Sequence, residues 1–361
     1  MTDDDFSSGG HGPGHGQGPT PGLDHGTGPG PGHGVDRGLE RRPGPAAGGI
    51  VIAVLTYRRP EDIALALPRL AAQAGARDGA GAAGAAAIVL VIDNDPAASA
   101  RQVVEQFART LPAGTVRYVH EPKPGIAAAR NRALAEAGTS ELLVFIDDDE
   151  IPSERWLARL LELQRSSGAA AVVGPVISEY EHEPEPWIEA GRFFRRRRLP
   201  TGSRLDVAAT NNLLLDLRQI RELQLCFDER FGLSGGSDTL FTRQLVQRGG
   251  TMLWCDEAVV VDRVPASRLT RSWVLRRALR SGNSATRVSL ELSNNAAGRL
   301  TARGVSLAAG SLRLLGGSAR LAAGLATGSE AQKAMGLRTA ARGLGMASGA
   351  FGYVYSEYRR N

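Results

Sequence analysis

An α/β fold built on a largely parallel sheet is what this sequence predicts, and three observations predict it. From residue 50 onward, short β-branched and apolar runs alternate with helical stretches, the pattern of repeated strand–helix–strand units. Two of the apolar runs end in aspartates, and strand ends are where an open α/β sheet presents groups to a ligand. The composition, 42% hydrophobic, 22% charged and 5% aromatic over 361 residues, is that of a globular chain long enough to bury a sizeable core.

Residues 1–49 stand apart from this pattern. They hold 16 of the 45 glycines, 7 of the 19 prolines and 4 of the 6 histidines. Such a composition cannot bury enough apolar surface to offset its ordering entropy, and a disordered tail is expected. His11, His15, His25 and His33 fit either solvated low-complexity sequence or a loose metal-binding tract.

The elements expected next are a strand over 50–56 and a helix from Pro60 to about residue 73, with proline, Glu61 and Asp62 in its first turn. A strand over 88–93, a helix over 99–110, a strand over 115–121, a helix over 125–137 and strands over 141–146 and 169–176 follow. The Ala/Gly-rich residues 75–87 are expected to form a mobile surface insertion. After a Pro-, Glu- and Arg-rich segment at 178–204, strand, helix and strand character returns at 207–216, 238–248 and 251–262. Past residue 268 the chain is amphipathic and basic, and arginines interrupt its apolar stretches at 300–325 and 335–355. Neither stretch is expected to span a membrane; both suit helices in the interface plane or a hairpin packed on the domain. The expected organisation is a tail over 1–49, a domain over 50–266 and a helical extension over 267–361.

Several functional classes are disfavoured. Lys plus Arg number 43 against 38 Asp plus Glu, a mild net charge of +5, and no nucleic-acid partner is expected. Lysine occurs only at positions 123 and 333, so arginine carries the positive charge. Cys226 and Cys255 form no CxxC pair, and reduced thiols are expected. With an acidic N-terminus lacking an apolar segment, and no run of ~18 uninterrupted apolar residues, a cytoplasmic location is expected.

The most informative segment is Phe145-Ile146-Asp147-Asp148-Asp149-Glu150, an apolar strand ending in three consecutive aspartates. Crowded carboxylates raise at least one pKa, and a hard divalent ion, Mg²⁺ or Mn²⁺, would neutralise them; a solvated acidic turn is the plain alternative. A second strand ends in Asp93-Asn94-Asp95, which suits a ribose or base contact and equally a simple loop cap. Gly125 opens a helix that carries Arg130 and Asn131 in its second turn, a phosphate-binding arrangement. Asp238 follows Gly235, Gly236 and Ser237 at a helix start, where it fits an N-cap and a general base equally well.

In this order, Thr56-Tyr57-Arg58-Arg59-Pro60-Glu61-Asp62, Val91-Ile92-Asp93-Asn94-Asp95, Gly125 to Asn131, Phe145 to Glu150 and Gly235 to Asp238 resemble the motifs of family 2 glycosyltransferases of GT-A fold. Pro186-Trp187-Ile188, Phe227-Asp228, Trp254 and Val264-Pro265 with Arg268 resemble more narrowly the succinoglycan-biosynthesis type, which extends lipid-linked exopolysaccharide repeats. The resemblance covers roughly residues 50–290. It implies a Rossmann-like, mostly parallel GT-A sheet flanked by helices, with a C-terminal helical extension. It also implies inverting, metal-dependent transfer from a nucleotide-diphosphate-sugar donor, such as a UDP-sugar, to a glycan acceptor, with polyprenyl-diphosphate-linked intermediates among the candidates.

Carried over by residue, the resemblance implies donor contacts at Thr56, Tyr57, Arg58, Asp93, Gly125, Arg130, Asp147 and Asp148. It implies Mg²⁺ or Mn²⁺ at Asp149 and Asp262, a base at Asp238, and acceptor contacts at Trp187, Gly236, Arg276 and Arg277. Ser237 stands where family members often carry glutamate, and Asp262 where many relatives carry histidine. Arg276, Arg277 and Arg280 fit a lipid diphosphate, anionic headgroups at the cytoplasmic face of an inner membrane, or a solvated helix face; the run 195–198 is expected to be a solvated loop, with an acceptor contact as the alternative. A nucleotidyltransferase and a non-catalytic sugar-nucleotide-binding protein are the alternative functional classes.

Overall fold

A computed structural model describes residues 49–75 and 87–355. The tail over 1–48 and the insertion over 76–86 lie outside the described residues, and so do the expectations made for them.

The chain opens with β1 (Ile50–Thr56) and α1 (Pro60–Gly75), whose first turn holds Pro60, Glu61 and Asp62 as expected from its N-terminal signals. Next come β2 (Ala87–Asp93), α2 (Arg101–Ala108), β3 (Val116–His120), α3 (Ile126–Glu136) and β4 (Leu142–Asp147). A short β5 (Glu150–Pro152), α4 (Trp156–Ser167), β6 (Ala171–Val173), β7 (Val176–Tyr180) and α5 (Pro186–Gly191) follow. The chain then forms β8 (Asn212–Asp216), α6 (Leu217–Glu222), α7 (Ser237–Gln247), β9 (Met252–Trp254) and β10 (Val260–Val264). Three long helices close it: α8 (Arg271–Glu291), α9 (Ala296–Thr327) and α10 (Glu330–Ala350).

Seven strands form one sheet in the order β3-β2-β1-β4-β8-β6-β9, and β5-β10-β7 form a second. In the larger sheet β1 pairs in parallel with both β2 and β4, β2 with β3, and β6 with β9, while β8 runs antiparallel to β4 and β6. Its strands are apolar nearly throughout because helices cover both faces. Ile50, Ile52 and Val54 meet Leu67 of α1 and Trp156 and Leu160 of α4, while Val51 and Ala53 join Ala129 of α3 and Phe241 of α7 on the other side.

Three expected strands come out differently. The run 169–176 breaks at Gly174 and Pro175 into β6 and β7, which belong to different sheets. A Cβ at Gly174 would collide with the Ala258 carbonyl and the Asn212 side chain. Asn212 uses that closeness: its Nδ2 donates to the carbonyls of Pro175 at 3.1 Å and Ala258 at 2.8 Å, while its Oδ1 accepts from Trp156 Nε1 at 2.8 Å. The run 251–262 likewise divides into β9 and β10, and only Asn212–Asp216 of the run 207–216 is strand. At the break between β6 and β7, proline, glycine and a buried side-chain amide, rather than hydrophobicity, set the boundary.

The two late apolar stretches form α9 and α10, an antiparallel pair that packs through glycine. Gly310 lies against the Gly343 carbonyl, Gly317 against the Gly336 carbonyl, and Gly345 against the Leu279 carbonyl of α8. Trp187 and Ile188 of α5, Val274 of α8 and Ala334 of α10 share one apolar cluster. Among the described residues no helix is long and apolar enough to cross a membrane.

Because α8 and α10 touch backbone to backbone, Gly345→Ala and Gly282→Ala are each expected to lower stability by roughly 1–3 kcal/mol through overpacking. Thermal denaturation followed by circular dichroism checks this, with Gly304→Ala, where nothing lies within 4 Å, as the control.

Candidate functional site

β1 pairs with β2 on one side and β4 on the other, so the strand order switches there, the place where open α/β sheets leave a crevice. Register brings Thr56 opposite Asp93 and Leu55 opposite Asp147, so these strand ends lie level. A cleft of about 540 Å³ opens above them. Beyond Asp147 the chain turns through Asp148 and Asp149 into β5, whose antiparallel pairing sets Glu150 opposite Asp262 of β10.

Guanidinium and hydroxyl groups surround this acidic run. Asp148 is buried, and its Oδ2 accepts from the Thr56 hydroxyl at 2.8 Å while its Oδ1 accepts from Arg59 at 3.1 Å. Asp149 accepts from Arg59 at 3.0 Å and from Arg268 at 3.2 Å. Asp262 Oδ2 accepts from Arg196 at 2.7 Å. Its Oδ1 is buried without a hydrogen-bond partner and has only a 3.8 Å ion pair to Arg268. Glu150 accepts from Asn211 Nδ2 at 2.7 Å and from the Asp147 N–H at 3.2 Å.

Withdrawal from bulk water, then the charges of the neighbouring carboxylates, raise several of these pKa values. Asp148 is pushed up to about 7, chiefly by burial, with Arg59 opposing and Asp149 adding to the rise. Asp147, open to the cleft yet deep between its walls, is raised to about 6 by desolvation and then by Asp149. Burial and the Asp147 charge hold Glu150 well above the usual carboxylate range.

The facing wall is the start of α7. Gly235 and Gly236 both take positive φ, +79° and +97°, which a residue with a Cβ rarely adopts. Gly236 occupies the N-cap position, so Asp238 is not the cap; it sits in the first turn, accepts from the Thr239 N–H at 2.8 Å and lines the cleft. Arg130 of α3 donates to the buried Ser237 hydroxyl at 2.8 Å and lies over the Phe227 ring at 5.4 Å. Phe227 stacks on Phe241 of α7 at 4.2 Å and meets Phe145 of β4 edge-on at 5.9 Å, joining both walls to one aromatic core.

Of the residues singled out from sequence, Thr56, Tyr57, Arg130, Asp147, Asp148, Asp149, Asp238, Asp262 and Arg277 line the cleft. The others do not. Asp93 is fully buried, with one oxygen accepting from the Asp95 N–H and the other from the Ala100 N–H and the Tyr118 hydroxyl. Arg58, at φ +56°, turns to Asp95 at 3.4 Å. Gly125 donates its N–H to Asn94 Oδ1 behind the cleft wall. Trp187 is a core residue, 1% exposed, beneath α8 and α10, and Gly236 packs toward Phe231, Ser284 and Val288. Arg276 is exposed and bonds its own Ser272.

Sequence reasoning assigned no site role to Arg59, Arg268 or Asn211, all of which line the cleft, as does Arg280, expected with Arg276 and Arg277 to face an anionic acceptor or lipid. Arg196, expected in a solvated loop with an acceptor contact as the alternative, lines the cleft, where it donates to Asp262. Arg59 lay inside a quoted motif, and only its ion pairs distinguish it from Arg58. Arg277, crowded by burial and then by Arg196 and Arg280, has its pKa lowered to about 10.

Among the described residues no three His, Cys, Asp or Glu side chains converge as a preformed metal centre. The donor chemistry still fits a hard cation: the candidate ligands are all oxygens, Asp262 Oδ1 accepts no hydrogen bond, and the Arg268 guanidinium reaches both Asp149 and Asp262.

Comparison with known proteins gives a family and a relative. The description "Glycosyl transferase family 2" matches residues 51–216. The chain is 38% identical over 242 residues to the succinoglycan biosynthesis protein ExoM of Rhizobium meliloti (strain 1021), covering 67% of this chain and 75% of that one. Among solved structures it is similar to S. aureus TarS, at 14% identity and a TM-score of 0.47, with 71% of this chain and 41% of that one covered. A TarS 1-349 structure in complex with UDP-GlcNAc is similar at 15% identity and a TM-score of 0.46, with 82% and 90% covered. Likenesses that faint assign no residue and no ligand here.

An acid whose pKa is higher folded than unfolded binds protons on folding, so its effect on stability improves as pH falls from above the folded pKa toward the unfolded value. With Asp148 raised to about 7, lowering the pH from 8 to 5 is expected to stabilise the parent by about 2 kcal/mol relative to Asp148→Asn. Paired denaturant titrations across that range check it.

Proposed function

The chain belongs to glycosyl transferase family 2, and on that premise we propose that it moves a sugar from a nucleotide-diphosphate donor to a glycan acceptor of exopolysaccharide assembly, with inversion. The observation that carries this reading is that the acidic run after β4 and Asp238 of α7 line one cleft. The acceptor class is taken from the likeness to ExoM.

In this reading Asp238 accepts the proton of the acceptor hydroxyl as that oxygen attacks the anomeric carbon. The bond to the diphosphate breaks, the nucleoside diphosphate leaves with the electron pair, and the proton stays on Asp238. One displacement inverts the centre. Arg130, through Ser237, positions the first turn of α7 and hence the base. Thr56, Tyr57 and Asp147 suit the nucleoside end of the donor. Arg59, Arg196, Arg268 and Arg277 offset the charge of its diphosphate and of the departing group. Arg277 and Arg280 on the same wall suit a polyprenyl-diphosphate-linked acceptor.

A divalent ion, Mg²⁺ or Mn²⁺, would be held by Asp149 and Asp262, with Arg268 giving way between them. When bound, such an ion neutralises charge on the leaving diphosphate, the task a protonated acid performs in glycoside hydrolysis.

Asp238→Asn is expected to lower turnover by about 10²–10⁴-fold while leaving donor affinity near that of the parent. Single-turnover kinetics beside calorimetric donor binding check this; normal turnover removes the base. Asp149→Ala is expected to lose donor affinity and metal stimulation together. The released product should be nucleoside diphosphate, whereas pyrophosphate would indicate a nucleotidyltransferase.

A further inference from the structure

The C-terminal helix α9 presents a long apolar face that the cleft does not use. Its deeply buried positions, Ser306, Gly310, Gly317 and Gly324, fall on one side, and the three glycines press on α10 backbone. The opposite side carries Leu300, Leu312, Leu315 and Leu325, each 65–72% exposed, with Val305 at 57%. At ~100° per residue these five fall within roughly 160° of arc, and from Leu300 to Leu325 the face runs about 38 Å. None of the exposed residues between them on that arc is charged; they are glycine, alanine, serine and threonine. An exposed, uncharged strip of this length carrying five large apolar side chains is what a protein surface in water normally avoids.

Charge tells which partner covers it. α9 holds Arg299, Arg303, Arg313 and Arg320 and not one acidic residue. On the helical projection Arg303 falls about 40° beyond one edge of the apolar arc and Arg320 about 60° beyond the other, where its Nε donates to Gln332 of α10 at 2.6 Å. A second copy of this face, packed symmetrically, would set arginines against arginines. An anionic bilayer instead receives the leucines among its acyl chains and the guanidiniums at its headgroups. The register of the hairpin, with Gly317 beside Gly336 and Gly310 beside Gly343, brings the C-terminal end of α10 level with the start of α9. Phe351 and Tyr353, 80% and 58% exposed, follow that end and add aromatic groups suited to the same interface. Since no described helix can cross a membrane, the geometry fits a helix lying in the interface plane.

We infer that α9 is a membrane-docking element, seating its Leu300–Val305–Leu312–Leu315–Leu325 face on an anionic lipid surface. None of these residues lines the cleft, so attachment and transfer can fail separately.

Flotation of the full chain with vesicles of phosphatidylcholine mixed with phosphatidylglycerol tests this, with pure phosphatidylcholine vesicles alongside. The parent is expected to float with the mixed vesicles, and less with the neutral ones or at high salt. Leu312→Glu with Leu315→Glu is expected to weaken binding about tenfold or more, with an unchanged circular dichroism spectrum and unchanged turnover on a soluble acceptor. Should that variant misfold, Leu300→Ser with Leu325→Ser provides the same test on the same face. Flotation of a folded variant equal to that of the parent overturns the inference, as does a parent that floats with neither vesicle. A parent that is dimeric by sedimentation, becomes monomeric in the variant and ignores vesicles assigns the face to a second copy and overturns it as well.

Discussion

Consecutive carboxyl groups at the end of β4 repel one another in a cleft partly withdrawn from water, and the cleft walls are organised around that repulsion. Guanidinium groups come to them from segments far apart in the chain, Arg59 after β1 and Arg268 after β10, while Arg196 after α5 pairs with Asp262 beside them. The ion pairs of Arg59 and Arg268 also tie their segments to the acidic run, so balancing charge and assembling the cleft are one event. Arg59 bridges Asp148 and Asp149, while Arg268 bridges Asp149 and Asp262, leaving the carboxylates compensated from two sides. Partners that are arginines rather than buried apolar groups can yield to a cation or a diphosphate without opening a cavity.

The opposite wall depends on dispersion and shape. Phe145 lies two residues before Asp147, Phe241 three residues after Asp238, and Phe227 touches both rings while carrying Arg130 above it. A shift of α7 relative to β4 would have to break this stack, and close-packed cores resist such displacements because they have little free volume to absorb them. The separation between the acidic run and Asp238 is thereby set by an aromatic cluster beneath them, which leaves the polar groups above free to engage ligands. Positive φ at Gly235 and Gly236 is the local condition for α7 to start so close to the cleft.

The C-terminal helices are continuous with this arrangement. Arg277 and Arg280 of α8 belong to the cleft lining, and α8 is held through Gly282 and Gly345 at backbone distance from α10. Small residues there permit close helix packing and leave the leucines of α9 on the far side. One surface of the extension therefore completes the cleft while another stays open.

Hydrophobic periodicity determined much of this protein without help from the fold. β1, β2, β4 and the helices between them were legible because a strand buried on both faces must be apolar throughout and a covering helix must be amphipathic, and the edge strand β3 was legible from its β-branched and aromatic residues. The acidic run and Asp238 were legible as candidates because carboxylates after an apolar strand or a glycine pair are costly without a use. Pairing between distant segments was not. Asp93 and Asp147 end the two strands that flank β1 in the same way, yet one is consumed by backbone N–H groups and a tyrosine while the other opens to the cleft. Trp187 and Arg196 exchange their expected places, tryptophan into a core and arginine to Asp262, because the cluster around α5 and the register of β5 with β10 exist only once the chain has folded. Local composition decides which residues can form a strand, a turn or a helix; only long-range packing decides which charges face one another.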